Sequence, residues 1–166
     1  MSSLEKDIEI LENAVRLFAQ TIKRPQRWAT VTAHAKVNID RPSAMILQTL
    51  LVGDHGSCRV QDLALRLGIE PPSVTRKTQE LEQAGYLQRI PDPADRRAID
   101  LRITTRGRTV ANRLWKAQRA LLAEALQDWK PSDRHQFVKL FERFSDDLLA
   151  ASVEGQKPSK READHA

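Results

Sequence analysis

Cysteine is almost missing from this chain: Cys58 stands alone. One thiol excludes an intrachain disulfide framework and suits a reducing compartment. Metal ligands are equally thin. His34, His55, His135 and His165 are scattered, and neither they nor Cys58 fall at the spacings that structural metal sites use. No apolar run approaches the roughly 18 residues that would cross a bilayer. The opening MSSLEKDIEILENAV is acidic and lacks the basic-then-apolar pattern of an export signal, so a cytoplasmic chain is expected. A nucleophile elbow, a phosphate loop, an HExxH pair and paired carboxylates in a pocket-like context are all lacking. That argues against an enzyme, and no cofactor is expected. Aromatic residues are only 5% of the total.

What the chain does have is helix-forming residues and positive charge. Its 166 residues fit one domain of ordinary size. Hydrophobic residues at 40% suffice for a core, while 30% charged residues keep the surface polar. Leu, Ala, Gln, Arg and Glu dominate, which leans the chain strongly towards helix. The net charge of +5 and a sequence pI near 9.7 suit a polyanionic partner, though by themselves only weakly.

In chain order, residues 4–24 read as a helix. Leu4, Ile8, Leu11, Val15, Phe18 and Ile22 recur at alternating steps of four and three, a stripe that serves equally for packing within the domain or against a second chain. Pro25 ends it. Residues 25–40 are less regular, with Trp28 and Val31 extending a broken helix. Asp40 then caps a helix running to Val52, with Pro42 in its first turn. A short helix over Arg59–Leu67 stops at Gly68, and Pro71-Pro72 opens another that runs to Ala84 before Gly85.

Short helix, glycine turn and second helix make a helix-turn-helix pattern. Leu63, Ala64, Leu67, Ile69, Val74 and Leu81 are the apolar positions that lock the two helices together. With Val74 and Leu81 inward, Ser73, Thr75, Arg76 and Gln79 turn outward. Arginine pairs bidentately with guanine and glutamine with adenine, yet a solvated polar face would look the same. Two alternating runs, Tyr86–Pro91 and Ala98–Thr104, follow as strands of a hairpin. Its turn carries Asp95, Arg96 and Arg97. From Tyr86 to Arg108 six arginines, Arg89 among them, face three aspartates, whereas Arg59 to Gly85 is neutral. The electrostatic weight therefore lies on the hairpin, whose tip can reach a minor groove while the helix enters the major groove. Asp95 beside two arginines can orient a guanidinium.

The run DLALRLGIEPPSVTRKTQELEQAGYLQR followed by DPADRRAIDLRITTRG closely resembles the winged helix-turn-helix of MarR-type transcriptional regulators. Asp95-Arg96-Arg97, Leu101, Ile103-Thr104 and Gly107 match the family's wing signature, with Ile103 in place of the usual leucine. Pro71-Pro72 and Glu70 depart from the usual polar cap. The motif covers about a third of the chain, and the flanking helices agree in order and length.

Thr104 caps a long helix, residues 105–128, about 36 Å from end to end at 1.5 Å per residue. Pro131 starts the last helix, with Phe137, Leu140, Phe141, Phe144, Leu148 and Leu149 at steps of three and four. So many apolar residues on one helix call for a partner surface. With the first helix they form an expected dimer interface, Leu4, Ile8, Leu11 and Val15 on one side and Phe137, Leu140, Phe141, Phe144 and Leu148 on the other. The resemblance implies the same, since in this family the two chain ends intertwine. The expected fold is mainly α with a small β-hairpin wing: a dimerisation region over 1–38, a winged helix-turn-helix lobe over 39–107, dimerisation helices over 108–151 and a disordered tail over 152–166.

The resemblance implies a homodimeric regulator, a repressor in the simplest case, on a pseudo-palindromic double-stranded DNA operator. Ser73, Thr75, Arg76, Gln79, Arg89, Asp95, Arg96 and Arg97 are the expected contact residues, Arg97 foremost. It also implies release by a small aromatic or phenolic ligand bound between the dimer helices and the DNA-binding lobe, where Trp28, His34 and Trp115 are candidate lining residues. Two alternatives stand beside this. One is redox sensing through Cys58, whose one activating neighbour is Arg59. The other is a winged helix that binds protein and not DNA.

Overall fold

The computed structural model describes residues 2–53, 56–91 and 99–154. They fall into two compact units, one through Leu121 and one from Leu122 onward.

In the first unit, α1 spans Ser3–Lys23 behind a capping box in which Ser2 and Glu5 exchange hydrogen bonds. None of its residues is buried. Pro25 does more than end this helix. Arg24 is the shared cap, and Pro25 opens a second helix, α2, over Pro25–Ala35. The stretch that reads as irregular is thus helical until Lys36, which closes it in the left-handed conformation at φ 52°. Helix α2 turns Val31 and Ala35 inward, and the Trp28 Nε1 donates to the Ile39 carbonyl at 3.0 Å, pinning the connection to the next helix. That helix, α3, spans Arg41–Val52. Asp40 caps it as its position predicts, Oδ1 accepting from Ser43 N at 2.8 Å.

Strand β1 is only Ser57–Cys58, too short to leave a periodic trace in the sequence. Helices α4 (Val60–Leu67) and α5 (Pro71–Gln83) follow, separated by Gly68 at φ 61°. Strands β2 (Leu87–Pro91) and β3 (Ile99–Ile103) pair antiparallel from Leu87↔Ile103 to Pro91↔Ile99. β1 adds to the far edge of β3, giving the order β1-β3-β2. The core gathers Ile46, Leu47 and Leu50 of α3, Leu63 of α4, Val74 and Leu81 of α5, Leu87 and Leu101 of the sheet, and Leu114 of the helix that follows it, all at most 3% exposed.

Helix α6 spans Thr105–Ala125, three residues shorter than its expected extent, and its start explains the Thr-x-x-Gly spacing. The Thr104 hydroxyl accepts from Gly107 N at 3.1 Å and donates towards the carbonyls of Gly85 and Tyr86. Thr104 N also donates to the Tyr86 carbonyl, at 3.0 Å. Gly107 is buried against that same carbonyl, and a Cβ on it would overlap the oxygen. Only glycine lets the helix begin this close to the backbone that leaves α5 at Tyr86.

In the second unit, α7 spans Pro131–Glu154. It continues past residue 152, where composition suggests a tail; residues 155–166 lie outside the described part. Phe137 stacks on Phe141 with centroids 5.5 Å apart and meets Trp129 at 5.3 Å. Leu140, Phe141 and Leu148 keep roughly half their surface exposed and Phe144 is half-buried.

Candidate nucleic-acid interface

Helix α5 is built to show one face. Val74, Thr78 and Leu81 are buried, four and three residues apart, so they line one side of a 3.6-residue helix. Thr78 is the member that an apolar-only reading misses. Its position in the stripe gives it away, and its hydroxyl is satisfied by the Thr75 carbonyl at 2.9 Å. The opposite side carries Ser73, Arg76 and Gln79, all exposed. Thr75 sits on the flank, half-buried, and its hydroxyl donates to the Pro71 carbonyl at 2.9 Å, so it is less available than the other three. Glu70 occupies the N-cap without a side-chain bond. Pro71 and Pro72 bring no N–H to the first turn, and the amides of Ser73 and Val74 both donate to the Glu70 carbonyl, so the start of α5 needs no side-chain cap.

The hairpin is anchored to this helix. Arg89 of β2 donates from Nε to Glu82 of α5 at 2.9 Å, so an expected DNA contact is also a tie between helix and wing. Arg106 of α6 lies over the Tyr86 ring, 5.0 Å from its centre. Asp95, Arg96 and Arg97 lie outside the described residues, on the connection that β2 and β3 lead into.

Trp28, His34 and Trp115 are not brought together. Trp28 is half-buried and holds the α2–α3 connection. His34 is exposed, with Nδ1 2.9 Å from the Thr30 carbonyl, beside a groove shared with Lys36, Arg113 and Lys116. Trp115 faces a cavity of about 400 Å³ lined by Gln48, Thr49, Val52, Gly53 and Arg66. Sequence spacing missed Gln48 and Arg66, since nothing in it joins α3 to α4 at that point.

Cys58 is buried on β1, opposite Leu101, and 8% exposed. Burial pushes its thiol above the usual range, Arg66 lowers it, and Asp62 and Asp100 push it up again, with a raised net result. A redox-sensing cysteine needs an exposed thiolate, and this site supplies the opposite. Among the described residues no cluster of His, Cys, Asp and Glu could hold a metal ion, and no helix is long and apolar enough to cross a membrane.

Two helices locked across a glycine turn, followed by a small antiparallel sheet, define a winged helix-turn-helix protein. The comparisons narrow that class. Residues 39–99 match the family model described as MarR family. An uncharacterised HTH-type transcriptional regulator, YkoM of Bacillus subtilis, is 24% identical over 86% of this chain and 91% of its own. The HTH-type transcriptional repressor MdtR of the same organism is 33% identical over 43% of this chain and 46% of its own. A MarR family protein from Bacillus stearothermophilus superposes with a TM-score of 0.77 at 19% identity, covering 90% of this chain and 99% of that one. YusO from Bacillus subtilis does so at 0.62 and 22%, over 87% and 99%. These last two likenesses show the fold. Residues 39–99 thus carry a MarR-family winged helix-turn-helix, and the chain as a whole is similar to HTH-type transcriptional regulators and has the fold of MarR-family structures.

Proposed function

We propose that the protein is a cytoplasmic repressor that binds a pseudo-palindromic duplex operator as a homodimer. The observation that carries this reading is the composition of the outward face of α5. Ser73, Arg76 and Gln79 stand exposed on the side opposite a fully buried stripe. They are short or forked hydrogen-bonding side chains of the types that read base edges in a major groove. Two copies related by a two-fold axis would present two such helices to half-sites one helical turn apart, about 34 Å. Arg96 and Arg97, oriented by Asp95, would follow the backbone into the flanking minor grooves.

The dimer is supported by apolar surface on the terminal helices. Leu4, Ile8, Leu11 and Val15 of α1 are each at least 42% exposed, as are Phe137, Leu140, Phe141 and Leu148 of α7. A chain that kept two such apolar helix faces in water would aggregate. A second copy covers them, with 1–38 and 108–151 as the pairing segments and 39–107 as the reading lobe.

Release by a small aromatic acid is supported by the cavity beside Trp115. Its volume lies in the range of small-ligand sites, about 300–1,000 Å³. Trp115 offers a ring face and Arg66 a cation for a carboxylate. Because Arg66 belongs to α4, a ligand held there bears directly on the first helix of the reading motif. It shifts DNA affinity to the extent that it prefers one setting of that helix.

A gel shift of the full chain against its own upstream region, with competitor duplex and varied salt, tests the reading. Specific retention that Arg76→Ala weakens supports it. No retention on any duplex at low salt overturns it. A thermal-shift panel of aromatic carboxylic acids, repeated on Trp115→Ala, tests the effector.

A further inference from the structure

Helix α5 carries two cations, and the fold uses them differently. Arg76 is exposed on the outward face. Lys77 is drawn back: its Nζ donates to Asp40 Oδ2 at 2.6 Å and to Glu80 Oε2 at 2.7 Å, and its side chain keeps only 20% exposure. Asp40 lies 37 residues earlier in the chain. One of its oxygens caps α3 through Ser43 N, and the other takes Lys77. A single carboxylate therefore starts one helix and grips the next but one.

The grip is half of a pair. At about 100° per residue, Lys77 lies on one flank of the buried stripe and Glu82 on the other. Glu82 in turn holds Arg89 of β2 at 2.9 Å. The stripe of Val74, Thr78 and Leu81 fixes by close packing which side of α5 is buried, but its apolar contacts lack the direction that would hold the last degrees of roll. Ion pairs on both flanks supply it. A roll of about 20° displaces atoms at the helix's outer radius, roughly 5–6 Å, by about 2 Å. That exceeds the tolerance of a directed hydrogen bond.

Both partners titrate as gripped groups do. Burial alone would raise the Asp40 carboxyl, but hydrogen bonds from Lys77 and Ser43 and the Lys77 charge bring it below the ordinary carboxylate value. Bonds to Asp40 and then Glu80 raise Lys77 above the ordinary lysine value.

We propose that Asp40 and Lys77 are positioning residues that set the roll of α5, so that Lys77, although a cation on the recognition helix, does not touch DNA. This rests on the reading that α5 binds duplex DNA. A half-exposed pair contributes little to global stability, so its worth lies in where Arg76 and Gln79 point. Two opposite signs follow. If Lys77 were a phosphate contact, Lys77→Gln would lower the salt slope of binding by about one, and Asp40→Asn, by removing an acid near the duplex, would tighten binding. As a clamp, each substitution weakens sequence-selective binding and leaves the slope alone.

The test uses the full-length chain and a duplex selected by it from a random pool. Affinity is read by fluorescence anisotropy at several salt concentrations, against scrambled duplex. Asparagine keeps the cap of α3, so Asp40→Asn removes only the grip. We expect Asp40→Asn and Lys77→Gln each to weaken the selected duplex about tenfold, the low end of what one bidentate base contact is worth. Scrambled binding and salt slope should be unchanged, Lys77→Arg should retain affinity, and the double variant should bind no worse than either single one. Wild-type binding with equal or tighter binding by Asp40→Asn, or a lower slope for Lys77→Gln, overturns the clamp alone. Failure of the wild type to enrich or bind any duplex overturns the DNA reading and the clamp with it.

Discussion

Replacing Gly107 by alanine sets two physical effects against each other, and the structure decides the sign. Gly107 lies in the first turn of α6. Helix propensity alone says that alanine there stabilises by about 1 kcal/mol. Against this, the new Cβ would fall on the Tyr86 carbonyl and press on the Ile103 side chain. That carbonyl accepts from Thr104 N at 3.0 Å and from the Thr104 hydroxyl at 3.1 Å. Pushing it aside loses the bond from Thr104 N, at about 1 kcal/mol, while the single hydroxyl proton keeps its shorter bond to the Gly85 carbonyl at 2.8 Å. Overpacking a buried backbone contact costs roughly 1–3 kcal/mol more. The net expectation is a loss of about 1–3 kcal/mol. Urea unfolding followed by far-ultraviolet circular dichroism, at matched protein concentration because the proposed dimer would make the midpoint depend on it, measures this directly. Gly68→Ala is the control. Unlike the helical Gly107 it sits at positive φ and has no atom within 4 Å of the new Cβ, so it should lose only the left-handed penalty of roughly 1–2 kcal/mol. A Gly107→Ala protein as stable as wild type, or more so, would refute the account of the Thr104–Gly107 spacing.

Arg97→Ala should weaken binding to all duplexes and reduce the salt slope by about one; an unchanged slope in filter binding removes the wing from the interface. Cys58, buried and with a raised thiol, should resist iodoacetamide at pH 8 in the folded chain and react fully in urea. Rapid native labelling would reopen redox sensing. Trp28→Phe deletes the bond to the Ile39 carbonyl and should cost about 1 kcal/mol of stability, read from the urea midpoint. Asp40 has a depressed carboxyl, so its contribution is present above the unfolded value, about 3.9, and fades as pH falls through the folded one. The small stability gap between wild type and Asp40→Asn should accordingly close on acidification, and a gap that widens below pH 4 would contradict the sign.

What the sequence discloses and what it hides follow from the range of each interaction. Helix starts and stops were legible because their causes are local. Asp40 caps three residues ahead, Gly68 and Gly85 adopt positive φ, and Thr104 caps Gly107. The winged lobe could be placed for the same reason. Helix α2 was harder, because Trp28, Val31 and Ala35 form a stripe too brief for periodicity to separate from an irregular stretch. Strand β1, at two residues, exists only through its pairing with β3. The site divided likewise. Ser73, Arg76 and Gln79 follow from the register of Val74 and Leu81, but the Asp40–Lys77 and Glu82–Arg89 ties depend on which elements become neighbours. Linear charge counting could place neither, and it left Lys77 and Arg89 looking like two more unspent cations.

The charge pattern then acquires a physical rationale. Helix α5 and its approach are neutral in sum, which looks unpromising for a surface that must meet a polyanion. Once Lys77 is committed to Asp40 and Glu80, the outward face of α5 keeps one cation, Arg76, beside the uncharged Ser73 and Gln79. Such a face gains little from any phosphate array, so its preference between duplexes comes from hydrogen bonds whose direction matters. Sequence-independent attraction falls to other segments. The hairpin holds Arg96, Arg97 and Arg102 besides the tied Arg89, and α6 carries Arg106, Arg108, Arg113, Lys116 and Arg119 before its first acid, Glu124. Like charges crowded on one helix cost stability, and a long-range field that draws in a duplex before α5 docks offsets that cost. On the proposed reading of α5 and the wing, affinity and selectivity sit on different elements. It follows that Arg76→Lys, which keeps the charge but loses the fork, should leave the salt slope intact and erode discrimination between selected and scrambled duplex. A variant that kept full discrimination would show that α5 reads charge and not base edges.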